Sequence, residues 1–329
     1  MDPIRMARAS GRGEGLLRPM PVAGGAILVM VVLAVVAFLP AYQTELVTQM
    51  LIYAIFAMSL DLLVGYTGLP SLGHSAYFGL AAYATALLAL KLALPFWLAA
   101  ALGLACAVIG AFLFNLLALR TARAYYLMIT LALSQVLWSL VVSWTDVTGG
   151  DNGLPGIARP VLGIRLDGAG VWLVFVALVF AVSTLVMWTL VRSPFGYALR
   201  GIRENEERMK ALGYNVWRYK LLVSMVAAFF AGVAGILFLS LNSFVGPQAL
   251  SIALSAQVLL MVLVGAAGTL FGSIFGAVAF VLLQNVVSSW TERWLFVVGA
   301  VYVLFALFAP AGALVWVRER LRSSRGRSR

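Results

Sequence analysis

Long apolar runs recur along nearly the whole chain, and few charges interrupt them. A helix needs about 20 such residues to cross the hydrocarbon core of a bilayer. Ten runs approach that length: Val22–Leu39, Leu46–Val64, Ala76–Leu94, Phe96–Leu119, Ala124–Ser143, Val171–Leu190, Leu221–Leu241, Ile252–Ala267, Thr269–Ser288 and Trp294–Val317. Only 11% of residues are charged, against roughly a quarter in a soluble domain. The pattern predicts an all-α, polytopic integral membrane protein of about 10 transmembrane helices. Ile252–Ala267 is the shortest run and breaks at "GAAGTLFG", so residues 252–288 read as either one span or two.

The basic residues orient these spans. Arg and Lys concentrate in cytoplasmic loops. Both tails are Arg-rich, with Arg5, Arg8, Arg12 and Arg18 before the first run and six arginines from Arg318 to Arg329 after the last. Both termini are therefore expected in the cytoplasm. Ten spans then leave only Lys91, Arg159, Arg165 and Arg293 outside, out of 23 basic residues. The net charge of +11 is a consequence of topology and calls for no nucleic acid. The first run follows a basic segment but exceeds a signal core and lacks a small-x-small cleavage site, so it reads as a retained span. The expected organisation is a basic cytoplasmic tail (1–21), a single transmembrane domain (22–317) and a second basic tail (318–329). Within the domain lie a cytoplasmic loop at 191–220 and a periplasmic loop at 144–170.

Chemistry is sparse. There is one cysteine, Cys106, and one histidine, His74, so neither a disulfide nor a metal set is available. No phosphate-binding loop and no nucleophile–base pair occurs, and an enzyme is not expected. Asp61 is the one carboxylate well inside a span, where a charge faces protein or water. It reads either as a pathway residue or as the partner of Arg120 or Arg123. The glycines Gly65, Gly68 and Gly73, with Ser71 and His74, form the densest polar and glycine-rich stretch beside a span, of the kind that interrupts helices along transport routes. His74 reads as a packing or hydrogen-bonding residue rather than a proton relay. "LVGYTG" (63–68) recurs as "LVGAAG" (263–268), which reads as a parallel duplication or as coincidence.

The densest charge lies in "SPFGYALRGIRENEERMKALGYNVWRYK" (193–220). Ser193 and Pro194 start a helix, and Gly213 can end it. Leu199, Ile202, Met209 and Leu212 fall near one side. Glu204 with Arg208, and Glu206 with Lys210, are acid-before-base pairs four apart. A single amphipathic helix is expected, its stripe lying either on lipid headgroups or against a partner.

This insert, together with "GYTGLPSLGHSAYFGLAAYATALL", "RAYYLMITLALSQVL", "TDVTGGDNGLPGI" and the terminal "FAPAGAL", resembles the membrane permeases of branched-chain amino acid ABC importers, of the LivM type. Urea and short-chain amide permeases share much of the pattern. The resemblance implies an import subunit of the bacterial inner membrane. Its implied partners are a second homologous permease, two cytoplasmic ATPases that use ATP and Mg²⁺, and an extracytoplasmic substrate-binding protein. The chain itself would bind no cofactor. The residues that would couple to an ATPase are Leu199, Arg200, Ile202, Arg203, Glu204, Asn205, Met209, Leu212 and Gly213. The external loop, with Asp146, Thr148, Gly149, Gly150, Asp151 and Asn152, would meet the binding protein. An ion-coupled secondary transporter using Asp61 and His74 is the reading of a different class.

Overall fold

A computed structural model describes residues 40–121, 123–156, 168–291, 293, 296–297 and 299–300. The expected first span Val22–Leu39, most of Trp294–Val317, both basic tails, residues 157–167 and the "FAPAGAL" motif lie outside the described residues. All elements below belong to the unit Ala41–Arg329.

The protein is mostly helical. The long helices are α1 (Ala41–Asp61), α2 (His74–Lys91), α3 (Phe96–Ala118), α4 (Arg123–Ser143), α6 (Ala169–Arg192), α9 (Val216–Asn242) and α11 (Leu270–Ser288). Between them lie the short α5 (Thr145–Thr148), α7 (Pro194–Glu204), α8 (Glu206–Ala211) and α10 (Ile252–Gly265). Six described helices are long and apolar enough to cross a membrane, counting α1 together with its extension to Thr67; α2 is not one of them. Helices satisfy their own backbone polar groups, as a lipid surrounding demands. Among these six, α1 and α9 are the most buried, around a core that includes Ile52, Ile55, Phe56, Trp172 and Phe280. α3 and α4 bury few of their described side chains and expose, among others, Ile109, Leu113 and Val136.

Two interruptions shape the bundle. α1 passes into a π-helical segment, Leu62–Thr67, closed by Gly68 at φ 71° with its N–H on the Leu63 carbonyl. The chain then doubles back, because α2 begins at His74 with its Nε2 2.8 Å from Ser59 Oγ, a residue that precedes Asp61. The second interruption follows α9. Two short strands, β1 (Leu154–Pro155) and β2 (Phe244–Val245), pair antiparallel with Leu154 opposite Val245. A 3₁₀ turn, Pro247–Leu250, leads into α10, whose 14 residues span about 21 Å, less than a bilayer core. α10 and α11 are separate helices joined through Ala266–Thr269, and of the two only α11 is long enough to cross a membrane.

The charged insert departs from expectation in two ways. It is two helices, not one. Asn205 takes an extended conformation (φ −155°, ψ 100°) and its side chain caps α8 through the Arg208 N–H at 2.9 Å. An Asn N-cap satisfies an orphan donor and starts a helix afresh, so Glu204 and Arg208 fall on different helices. No ion pair joins them among the described residues. The second correction concerns the stripe. Leu199 and Ile202 are fully buried and Met209 nearly so, within this chain. Ala198, Ile202 and Met209 pack on Val216 and Tyr219, at the start of α9. The stripe faces the chain's own bundle; of its four members only Leu212, 66% exposed, turns outward.

Candidate functional site

The insert is fixed to the bundle at two points. Glu206, on α8, meets Lys220 of α9 at 2.6 Å and Lys210 at 3.4 Å. Partial burial pushes the Glu206 carboxyl up, but its hydrogen bonds and charge interactions with Lys220 and Lys210 prevail and hold it below the usual carboxylate range. Lys210 also bonds Glu207 at 2.9 Å, and that bond, with Glu206, raises its own pKa.

The second point lies where α7 reaches the π-helical segment. Arg203 donates from Nη1 to the Gly65 carbonyl. Beneath it the Asp61 carboxylate, fully buried, accepts the Gly268 backbone N–H through Oδ1 at 2.7 Å. Arg203 lies near enough for its charge to act on Asp61, a cation that the sequence reading did not offer as a partner. The two recurring segments therefore touch each other: Gly65 of "LVGYTG" crosses Gly268 of "LVGAAG". A Cβ on Gly65 would collide with Asp61 Oδ1 and the Gly268 backbone, and Gly268 adopts φ +90°. Only glycine fits either position comfortably. Arg200 completes the rim, its guanidinium 5.3 Å from the Tyr66 ring centroid and 5.6 Å from that of Tyr197. A cavity of about 330 Å³ opens here, lined by Gly65, Tyr66, Arg200, Arg203, Glu204 and Gly268.

The expected pathway residues thus divide. Asp61 and Gly65 belong to this crossing, and Gly68 closes the π-helical segment. Ser71, Gly73 and His74 are buried in the stretch that doubles back. Ser71 Oγ accepts the Gly73 N–H at 3.3 Å. Ser59 gives its proton to the Phe56 carbonyl at 2.7 Å, so the His74 Nε2–H must be the donor to Ser59 Oγ. That assigns the neutral Nε2 tautomer and leaves Nδ1 buried without a hydrogen-bond partner among the described residues. The ring stacks on Phe56 at 5.4 Å and meets Tyr77 edge-on.

Beside it, Ser75 joins α2 to α10. Its N–H donates to Ser255 Oγ at 2.9 Å and its hydroxyl to the Ser251 carbonyl at 2.9 Å. Ser59 and Ser255 complete a buried polar cluster, with the half-buried Ser251 at its edge, that sequence reasoning missed. The signal was present only weakly, as a Ser N-cap and a second Ser at the head of an apolar run.

At the opposite end, the loop before β1 is tied down. Lys91 Nζ donates to the Asp146 carbonyl at 2.7 Å. Thr148 is buried, its hydroxyl bonded to the Val141 and Trp144 carbonyls. Gly149 takes φ +76° and Gly150 is buried. Asp146, Asp151 and Asn152 remain exposed, so the loop offers these three to a partner while Thr148 and Gly150 hold its shape. On the insert, Glu204, Asn205, Arg208, Leu212 and Gly213 are exposed.

A family model for the permease component of branched-chain amino acid transport systems matches residues 42–307. The chain is 31% identical over 312 residues to the high-affinity branched-chain amino acid transport system permease protein LivM of Salmonella typhimurium, covering 87% of this chain and 73% of that protein. Identity is 30% over 306 residues to its Escherichia coli counterpart, with coverage of 86% and 72%. A probable branched-chain amino acid transport permease protein LivM of Methanocaldococcus jannaschii is 26% identical over 274 residues, 71% of this chain and 77% of that one. No solved structure matches the chain.

Proposed function

The chain belongs to the permease components of branched-chain amino acid transport systems, and from that membership we infer that it is the membrane-spanning subunit of an ABC importer for branched-chain or other hydrophobic amino acids. It resides in the bacterial inner membrane and is not itself an ATPase. The observation that carries this reading is the extent of the family match, residues 42–307, which takes in the bundle, the insert and both interrupted segments.

The finer reading follows the basic residues. Ten spans place both tails and the insert in the cytoplasm, with residues 144–170 outside. The transmembrane domain covers 22–317. The outward side chains of α3 and α4 meet lipid or the second permease. The exposed face of the insert, from Glu204 through Leu212 and Gly213, meets one of two ATPase subunits, which use ATP and Mg²⁺. This chain holds neither. The inward stripe of Leu199, Ile202 and Met209 supports that face from beneath, so a displacement of α7 and α8 moves α9 with them. Outside, Asp146, Asp151 and Asn152 meet the binding protein. Substrate passes beside the buried cluster of His74, Ser75 and Ser255.

Uptake by proteoliposomes that contain the whole importer tests the assignment. Labelled leucine should accumulate only with internal ATP, isoleucine and valine should compete, and urea or acetamide should not. Uptake driven by a proton gradient without ATP, or competition by amides alone, contradicts it.

A further inference from the structure

Five parts of the chain converge at the Gly65–Gly268 crossing. Asp61 comes from the end of α1, Gly65 from the π-helical segment, Gly268 from the turn between α10 and α11, Ser273 from α11, and Arg203 from the insert. A carboxylate with no exposed surface is costly to bury and persists only where other groups compensate it. Here one oxygen takes the Gly268 N–H. The Ser273 hydroxyl lies beside the same carboxylate and acts on it as a hydrogen-bond donor. The Arg203 guanidinium supplies the opposite charge and bonds the Gly65 carbonyl.

Separating these groups would take the Gly268 N–H from Asp61 and the Gly65 carbonyl from Arg203 at once, so the contact behaves as a joint rather than a sliding surface. The neighbouring geometry agrees. A Cβ on Gly268 would lie 2.9 Å from Arg203 Nη1, and π-helical turns recur at functional sites in helices.

We propose that Asp61 and Arg203 are positioning residues that fasten the charged insert to both interrupted segments, so that displacement of the insert reaches α1 and the α10–α11 hairpin together. The proposal rests on the reading of the insert as the ATPase-facing element. Asp61 acts through the Gly268 N–H, and Arg203 acts through the Gly65 carbonyl. Neither is assigned a contact with substrate.

The test is the number of ATP molecules hydrolysed per leucine imported, measured in proteoliposomes with the complete importer. Coupling energies between sites commonly correspond to a 5–150-fold effect, so Asp61→Ala should raise this ratio by about fivefold or more. Asp61→Asn keeps an oxygen for the Gly268 N–H and should restore a ratio near that of the unmodified importer. Arg203→Gln removes the Gly65 contact while leaving the acceptor for the Gly268 N–H in place, and should also raise the ratio. It decides the matter if Asp61→Ala fails to fold. The double variant should be no worse than the more impaired single one, because both break the same connection. Unchanged ratios in Asp61→Ala and Arg203→Gln overturn the joint. Equal impairment in Asp61→Ala and Asp61→Asn overturns the assignment of the Gly268 bond. A failure of the functional reading shows separately, as an unmodified assembly that imports no leucine.

Discussion

Asp61 and Gly268 lie 207 residues apart in sequence, yet the carboxylate of one accepts the backbone N–H of the other at 2.7 Å. The bond links the end of α1 to the turn between α10 and α11. It lies beside the close approach of Gly65 to Gly268.

The crossing leaves no room for a side chain. Gly268 and Gly213 both adopt positive φ, at +90° and +87°, but only Gly268 is crowded. Left-handed backbone costs a non-glycine residue about 1–2 kcal/mol, a penalty that both Gly→Ala variants share. Gly268→Ala should therefore lower the melting temperature of the purified chain more than Gly213→Ala does. Equal losses would mean the crossing is loose.

Ile202 is fully buried beneath the insert. Ile202→Ala should destabilise the chain by about 2–5 kcal/mol, the usual range for such truncations in a packed core. Thermal unfolding in detergent, without any ATPase, reads the effect. A stripe reserved for a partner would leave the isolated chain unchanged.

Glu206 ties α8 to α9, and its pKa lies below the ordinary 4.5 because of Lys220 and Lys210. A depressed carboxyl contributes stability that is fully present above its unfolded value and lost as pH falls through its folded value. The tether should therefore hold at neutral pH and loosen only below about 4.5. Hydrogen exchange across residues 206–212, corrected for the intrinsic effect of pH, should accelerate there and not earlier. Glu206→Gln should remove the transition and leave exchange fast throughout.

Much of this architecture is legible in the sequence. The runs Phe96–Leu119 and Thr269–Ser288 match α3 and α11 to within a residue at each end, because an apolar run of bilayer length has few alternatives to a helix. The break at 266–269 is visible in its glycines. The inward facing of the Leu199–Ile202–Met209 stripe is not visible. Periodicity says which residues share a face and is silent on what covers it. The break at Asn205 was readable as an Asn followed by two acidic residues, an N-terminal cap signature that the continuous run of helix formers obscured. The Asp61–Gly268 bond and the Ser75–Ser255 contact join residues far apart in the chain, and no local pattern encodes such pairs.

The proposed topology has an accessible check. With Cys106 replaced, single cysteines at Ser10 and Ser324 should resist impermeant thiol reagents in intact cells and react after permeabilisation. Labelling of only one terminus in intact cells would require an odd number of spans.

The central claim is that the exposed face of the insert meets an ATPase subunit while its apolar stripe stays within this chain. Site-specific photo-crosslinking in native membranes tests it most directly. A crosslinker at Leu212 or Glu204 should give an adduct with the ATPase subunit, and one at Ile202 should give only products within the chain. ATPase adducts from Ile202, or none from Leu212 and Glu204, would contradict it.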